Sequence, residues 1–470
     1  MRTTCTLPAL TLALLAGTAA PRALPAQLTF APPAAPANVA AYQYVDECLA
    51  ASARVRDSVA AWGGVWIDTL TVAERRKPQA DFAPARDAAR RCADNLEGGD
   101  QDLAEFAPWL KLHLNAGRDD RAEALLERRL AAVPSDAAAE RAAVLDSAAG
   151  IAIESSLPRI ALAERTLDLR DQHDSLLTPT QLYSTPFNLM IRAWTVVGDA
   201  AAAARAARRL TELHERASRD SRERASGELR DFMLFLAHTL VVMDSSLAAL
   251  GTQGTEAYIA IRRDSWARTT GGLGAGLPVP LGEPAPDIEA DVWIGDRQDD
   301  GPRPTKGRVS LVVFVPTTCR GHCHTAIPAI RRIVSRFPDL EVTLLASTDG
   351  HVSGVLTPTT ADEAKLLRET LLTGHRLPGA LALEDARPWY LPAPDGRRIE
   401  RPTPNEEAYG GGRRSYLTQP FSTFVVDREG TIVEHQVLGN SFTNTLTEDI
   451  LTTVVETLFT GQAVGVRGAR

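Results

Sequence analysis

Arg268–Leu281, RTTGGLGAGLPVPL, is the stretch that most limits what this chain can fold into. A segment so dense in Gly and Pro continues neither a helix nor a central strand, and the periodicity changes across it. From about Ala40 to Trp266, apolar residues recur at three- and four-residue spacing among Ala, Leu, Arg and Glu, the signature of helix. Beyond it, short apolar runs alternate with helical stretches, which indicates an α/β sheet domain. A chain of 470 residues exceeds one ordinary domain. The expected architecture is multidomain: an N-terminal all-α domain over 38–266, a linker at 267–281 and a C-terminal α/β domain over 282–462.

Within the first part, Asp102–Leu114 and Asp120–Val133 form a helical hairpin around Asn115-Ala116-Gly117-Arg118-Asp119. Pro158–Leu169 and Ala200–Leu213 read as second helices of later hairpins, with starts recurring about every 40 residues, a helical-repeat period. The segment LHLNAGRDDRAEALLERRLAAVPSD resembles a tetratricopeptide-type unit, with glycine in the turn, alanines where helices touch and a closing proline. The full repeat signature is absent, so an irregular bundle is the alternative. A solenoid would offer a concave surface on which a protein partner docks.

Met1–Ala26 carries Arg2, an apolar core at Leu7–Gly17 and small residues after it, the pattern of a secretory signal. The expected location is therefore exported, periplasmic or secreted. Leu234–Met243 is apolar but short and interrupted by His238, so no integral membrane segment is expected after cleavage. After removal of that signal four cysteines remain: Cys48, Cys92, Cys319 and Cys323. In an oxidising compartment Cys48 and Cys92 are either a structural disulfide or two buried small hydrophobes. A net charge of −8, with no basic face carrying interleaved aromatics, argues against nucleic acid as a partner.

In the second part, β-type runs lie at Val309–Val315, Leu340–Ala346, Ala380–Leu383, Ser422–Val426 and Thr431–Val437. Helical stretches lie at Ala326–Phe337, Ala361–Leu372 and Asn444–Leu458, and Asp385–Tyr416 reads as a long loop. The first run leads into VSLVVFVPTTCRGHCHTAIP, which sets Cys319 and Cys323 where a buried strand hands over to a helix. The helix dipole there stabilises a thiolate. Arg320, and His322 or His324 when protonated, add to that effect. Cys319 is then the attacking sulfur and Cys323 the resolving one. Helical Cα atoms four residues apart fall within the roughly 4.4–6.8 Å that a disulfide spans.

These residues resemble the thioredoxin-like superfamily, in particular exported TlpA/ResA-type thiol–disulfide oxidoreductases and their AhpC/TSA (peroxiredoxin-like) relatives. Gly282-Glu283-Pro284-Ala285-Pro286-Asp287 looks like the entry motif; Phe314 and Pro328 flank the cysteines at the family's distances; and Ser422–Asp427 with Arg428-Glu429-Gly430 looks like its late strand and hairpin turn. The resemblance implies a thioredoxin-like fold, disulfide exchange with protein thiols and an unidentified redox partner, and no cofactor or metal. Two departures fall on chemical positions. The pair is C-x-x-x-C where the family has C-x-x-C, and the position of the family's cis proline is Phe421, with Pro420 one residue earlier. Pro420 and Phe421 are the expected substrate-docking residues. The spacing also resembles copper-handling Sco-type relatives, with Thr317 fitting and Gln419 standing where their histidine is; His322, His324, His351 or His435 would have to substitute. A redox-silent scaffold with a degenerate thioredoxin-like domain is the remaining reading.

Overall fold

The computed structural model describes residues 45–50, 83–96, 103–155, 158–219, 228–269, 280–295, 304–317, 323–348, 351–352, 355–357, 359–374, 377, 379–385, 390–392, 398–400, 403–410, 421–439 and 443–462. The helical region holds α1 (Ala83–Leu96), α2 (Phe106–Asn115), α3 (Asp119–Ala132), α4 (Ala138–Glu154), α5 (Ile160–Arg170), α6 (Pro179–Arg192), α7 (Ala200–Arg219), α8 (Glu228–Gln253) and α9 (Thr255–Thr269). Helices α2/α3, α4/α5, α6/α7 and α8/α9 pack as successive hairpins, each touching chiefly the next. A disulfide joins Cys48, in the helical segment at 45–50, to Cys92 on α1, with a Cα separation of 5.7 Å.

The second helices start at Asp119, Ile160 and Ala200. Ion pairs cross between them at matching intervals. Asp119–Arg159, Glu123–Arg165, Glu164–Arg205, Asp168–Arg209 and Asp174–Arg216 are separated by 40, 42, 41, 41 and 42 residues. Each places an acid on the earlier hairpin and an arginine on the later one. Partly exposed pairs of this kind contribute only about 0.2–1 kcal/mol apiece. Their regularity fixes the register of one hairpin on the next rather than the stability of the stack. At α6 the start is set locally: Thr178 and Gln181 form a capping box and Pro179 occupies the first turn.

The longest helix, α8, contains Phe232–Gln253, long and apolar enough to cross a bilayer, a longer span than Leu234–Met243 suggests; 72% of its most apolar stretch is buried. It lies against α7, α9 and the last helix of the chain, so its all-round apolarity is that of a core helix.

The C-terminal region is a six-stranded mixed sheet in the order β1-β6-β3-β2-β9-β10. Its strands are β1 (Val292–Ile294), β2 (Ser310–Phe314), β3 (Glu341–Thr348), β6 (Ala380–Asp385), β9 (Ser422–Val426) and β10 (Ile432–Val437). Strands β2, β3 and β6 are parallel; β9 runs antiparallel to β2, and β10 to β9. Two small hairpins, β4 (His351–Val352) with β5 (Val355–Leu356) and β7 (Tyr390–Pro392) with β8 (Arg398–Glu400), stand apart from it. The helices are α10 (Cys323–Arg336), α11 (Thr360–Leu367), α12 (Pro404–Gly410) and α13 (Asn444–Thr460). This is the expected thioredoxin-like α/β fold: β2 and β3 joined by α10, then an antiparallel hairpin closed by α13. Full burial of strands such as Ser310–Phe314, with Leu311, Val312, Val313 and Phe314 in a row, explains why the sheet's centre was readable as apolar runs.

The two regions share one contiguous apolar core. Residues entering the sheet region run along β10: Gly282 N–H donates to Ile432 O at 2.8 Å and Ile432 N–H to Glu283 O at 2.9 Å. Deeper in, Arg262 on α9 donates to Glu434 on β10 at 2.6 Å, with both side chains almost wholly buried. Tyr258 donates to the same carboxylate at 2.6 Å, and Arg262 also donates to Thr239 on α8 at 2.7 Å. Burial raises the Tyr258 pKa, which keeps the phenol a donor. Burial alone would lower that of Arg262, but the charges of Glu434 and Tyr258 and the hydrogen bonds to both together outweigh it. Trp194 Nε1 donates to Asp449 on α13 at 2.8 Å, and Thr255 Oγ1 to Asp427 at 2.6 Å. The helical region is thus bonded into the edge of the sheet.

Candidate active site

Of the residues the sequence put forward, Cys319, Arg320, His322 and Pro420 lie outside the described residues, as does Gln419. Cys323 is the first residue of α10, followed by His324, and Pro328 lies inside that helix. What the structure describes is the frame around them. Strand β2 ends at Phe314, buried against Phe424 and Tyr409 at ring distances of 6.0 and 5.8 Å. Phe421 N–H donates to Phe314 O at 2.5 Å, and Leu438 N–H donates to Phe421 O at 3.0 Å. The ends of β2 and β10 and the start of β9 therefore meet at Phe421.

Phe421, one of the two expected docking residues, is described without Pro420 beside it. Its ring is fully buried. Its N–H is used by Phe314, and its carbonyl accepts from Leu438 and from Thr423 Oγ1. Its φ of 65° is the left-handed region, among the described residues the one such value outside glycine. A bulky residue there is strained, and strain of this kind is retained where the surroundings dictate it.

The first turn of α10 is sewn to the end of β10. Asn444, the first residue of α13, accepts from Gly439 N–H at 2.9 Å and donates to Thr325 O at 3.2 Å; Thr325 Oγ1 donates to Gly439 O at 3.1 Å. Further along, Arg332 makes a two-pronged bond to Glu448 at 2.7 and 2.8 Å, and Arg336 reaches Glu456 at 2.6 Å. His435, one substitute the copper reading offered, is buried on β10 with its ring 4.5 Å from that of Phe424.

A second polar group lies at the carboxyl ends of β3 and β6, in the stretch expected to be loop. There α12 opens with a capping box: Thr403 N–H donates to Glu406 at 2.9 Å and Glu406 N–H to Thr403 Oγ1 at 3.4 Å. Thr-Pro-Asn-Glu carries this signal in sequence, with proline at the first helical position; the glycine run just after it masked the helix. Asn405 bonds Glu384 through its N–H at 3.3 Å and through Nδ2 at 3.2 Å, and it also holds the backbone of Glu289. Ser347 Oγ donates to Glu406 at 3.4 Å. Burial pushes both carboxyls up from the usual range, and the Glu406 charge adds to the effect on Glu384. A raised folded-state pKa stabilises the fold below the unfolded value, and that contribution is lost as pH rises through the folded one. We expect Glu406→Gln to melt progressively above the wild type as pH is taken from about 5 to 8. A gain independent of pH would rule out titration as its cause.

No family model matches this chain. No curated protein matches it. Among solved structures, the chain is similar to the crystal structure of a thioredoxin-like superfamily protein at 19% identity, with a TM-score of 0.26, over 38% of this chain and 99% of that one. Strand order and connection make the C-terminal region thioredoxin-like in fold.

Proposed function

We propose that this chain is an exported thiol–disulfide oxidoreductase acting on protein partners through Cys319 and Cys323. The observation that carries the reading is the frame: a buried parallel strand ending at Phe314, then a helix that opens at Cys323. Cys319 precedes that opening in sequence, and in the field of a helix N-terminus its thiolate would be favoured. The Cys319 thiolate attacks one sulfur of a partner disulfide, forming a mixed disulfide and releasing the partner's other sulfur as thiolate, which takes up a proton. Cys323, deprotonated, then attacks the Cys319 sulfur and expels the second partner thiolate. The pair is oxidised to a disulfide and the partner gains two electrons and two protons. Arg320, His322 and His324 would tune the first step, and the helical hairpins would dock the partner. The Cys48–Cys92 bridge supports residence in an oxidising compartment.

The inward-facing Phe421 favours a second reading, a redox-silent scaffold whose docking position has closed. One titration separates the two. The full chain is equilibrated with glutathione or dithiothreitol buffers and its free thiols are trapped. A reversible Cys319–Cys323 couple between roughly −120 and −270 mV is expected. A bridge that stays closed below about −300 mV is a structural disulfide and leaves the scaffold.

A further inference from the structure

We propose that the groove between α5 and α7 docks an acidic, leucine-bearing segment of a protein partner. This rests on the docking role given above to the hairpins and is independent of the cysteine pair. Between these two second helices lies a cavity of about 510 Å³. Two of its lining residues, Leu189 of α6 and Ala206 of α7, are buried and apolar. One wall holds the acids Glu164, Asp168 and Asp171. The other holds four arginines of α7, Arg205, Arg208, Arg209 and Arg216, spaced to share one helix face.

The acids of that wall are already engaged. Glu164 accepts from Arg205 at 2.8 and 3.3 Å, and Asp168 accepts from Arg209. Asp171 accepts from Arg209 at 2.9 Å and from Arg170 at 2.7 and 3.0 Å. The unused groups are mostly N–H donors. Among the described residues the Arg208 guanidinium has no partner, and Arg216 uses only Nε, toward Asp174 at 3.2 Å. A guanidinium has five donors and no acceptor, and it grips a carboxylate in two-pronged fashion. Glu212, one turn after Arg208, is the free carboxylate of the lining. An arginine four residues ahead of a glutamate is the weaker order for a helical pair, and these two are not joined. Arg208 is thus left for an anion. Two leucines argue that this anion belongs to a protein chain. Leu169 follows Asp168 and is 46% exposed; Leu176 lies two residues beyond Asp174 and is 50% exposed. A free anion gains nothing from them, whereas a segment with both carboxylates and leucines does. The chain as a whole carries −8, so it repels an acidic segment at long range, and attraction must come from this local group.

The test is fluorescence anisotropy on the full-length protein with a labelled peptide of Glu, Leu, Ser and Gly. Companion peptides carry Gln or Lys in place of every Glu. The variants are Arg208→Glu, Glu212→Gln and, as a control for the general field, Arg121→Glu on α3, outside the groove. All three positions are exposed, so the variants should melt with the wild type. The acidic peptide is expected to bind saturably. Arg208→Glu should weaken it roughly tenfold or more, Glu212→Gln should tighten it, and Arg121→Glu should leave it unmoved. An acidic peptide that does not bind, or that binds no better than its Gln counterpart, overturns the proposal. So does equal weakening by Arg208→Glu and Arg121→Glu. Tighter binding of the Lys peptide, lost in Glu212→Gln, would assign the groove to a basic partner instead. Displacement of the peptide by inorganic phosphate at the peptide's own working concentration would make it a small-anion site. The thiol titration is read separately, so the redox reading and this one fail independently.

Discussion

Arg262→Ala should lower the stability of the full chain by roughly 3–5 kcal/mol, the loss seen when one partner of a buried ion pair is removed. Arg262 and Glu434 are 2% and 0% exposed, so solvent screens little of their interaction. Truncating the arginine leaves the Glu434 carboxylate inside the protein with neutral donors alone: the Tyr258 hydroxyl, His435 N–H and Gln436 Nε2. Those three keep it hydrogen-bonded but do not balance its charge. The Arg262 guanidinium also lies 5.0 Å over the Phe235 ring, and its attraction to the ring face disappears in the variant. Because one core runs through both regions, the damage should appear as an earlier transition for the whole molecule. Denaturant midpoints with an unchanged slope would show that. A shift below about 1 kcal/mol would mean that the interface behaves as a screened surface pair.

This ion pair also marks where the sequence stops being legible. Its members are separated by 172 residues, and nothing near Arg262 or Glu434 announces a partner. Sequence periodicity records which face of an element is buried, not which element buries it. Strands β2 and β9 were legible because each is fully buried and carries an apolar stretch, Leu311–Phe314 and Phe424–Val426. The hairpin repeat was legible because its helix starts recur. Its register, held by the acid–arginine ladder, was not, since surface charge runs read equally well as solvated faces. Strand β1 is only three residues long, too short to show alternation. The Gly/Pro run, most of which lies outside the described residues, marks a boundary by local composition, while the bonds between the two regions join residues far apart in sequence and leave no local sign.

Phe421 shows the same limit at the candidate site, and it yields the sharpest substitution series. Aligning the chain to the thioredoxin-like pattern invites Phe421→Pro as a restoration. The structure predicts the opposite. Proline is locked near φ −65° and has no N–H, whereas Phe421 sits at φ 65° and donates to Phe314 O. Losing a buried hydrogen bond and forcing the backbone out of its well should together cost on the order of 2–6 kcal/mol. Truncation separates this backbone effect from the packing of the ring. Phe421→Ala and Phe421→Gly both empty the ring's site, a loss of about 3–5 kcal/mol for a buried phenylalanine. Glycine adopts positive φ freely, while an L-residue there pays roughly 1–2 kcal/mol. Glycine should therefore be the more stable of the two despite its greater freedom when unfolded. The expected order of denaturation midpoints is Phe, Gly, Ala, Pro. Alanine above glycine would remove the strain, and proline matching alanine would show that the N–H and the left-handed turn count for nothing at this junction of β2, β9 and β10.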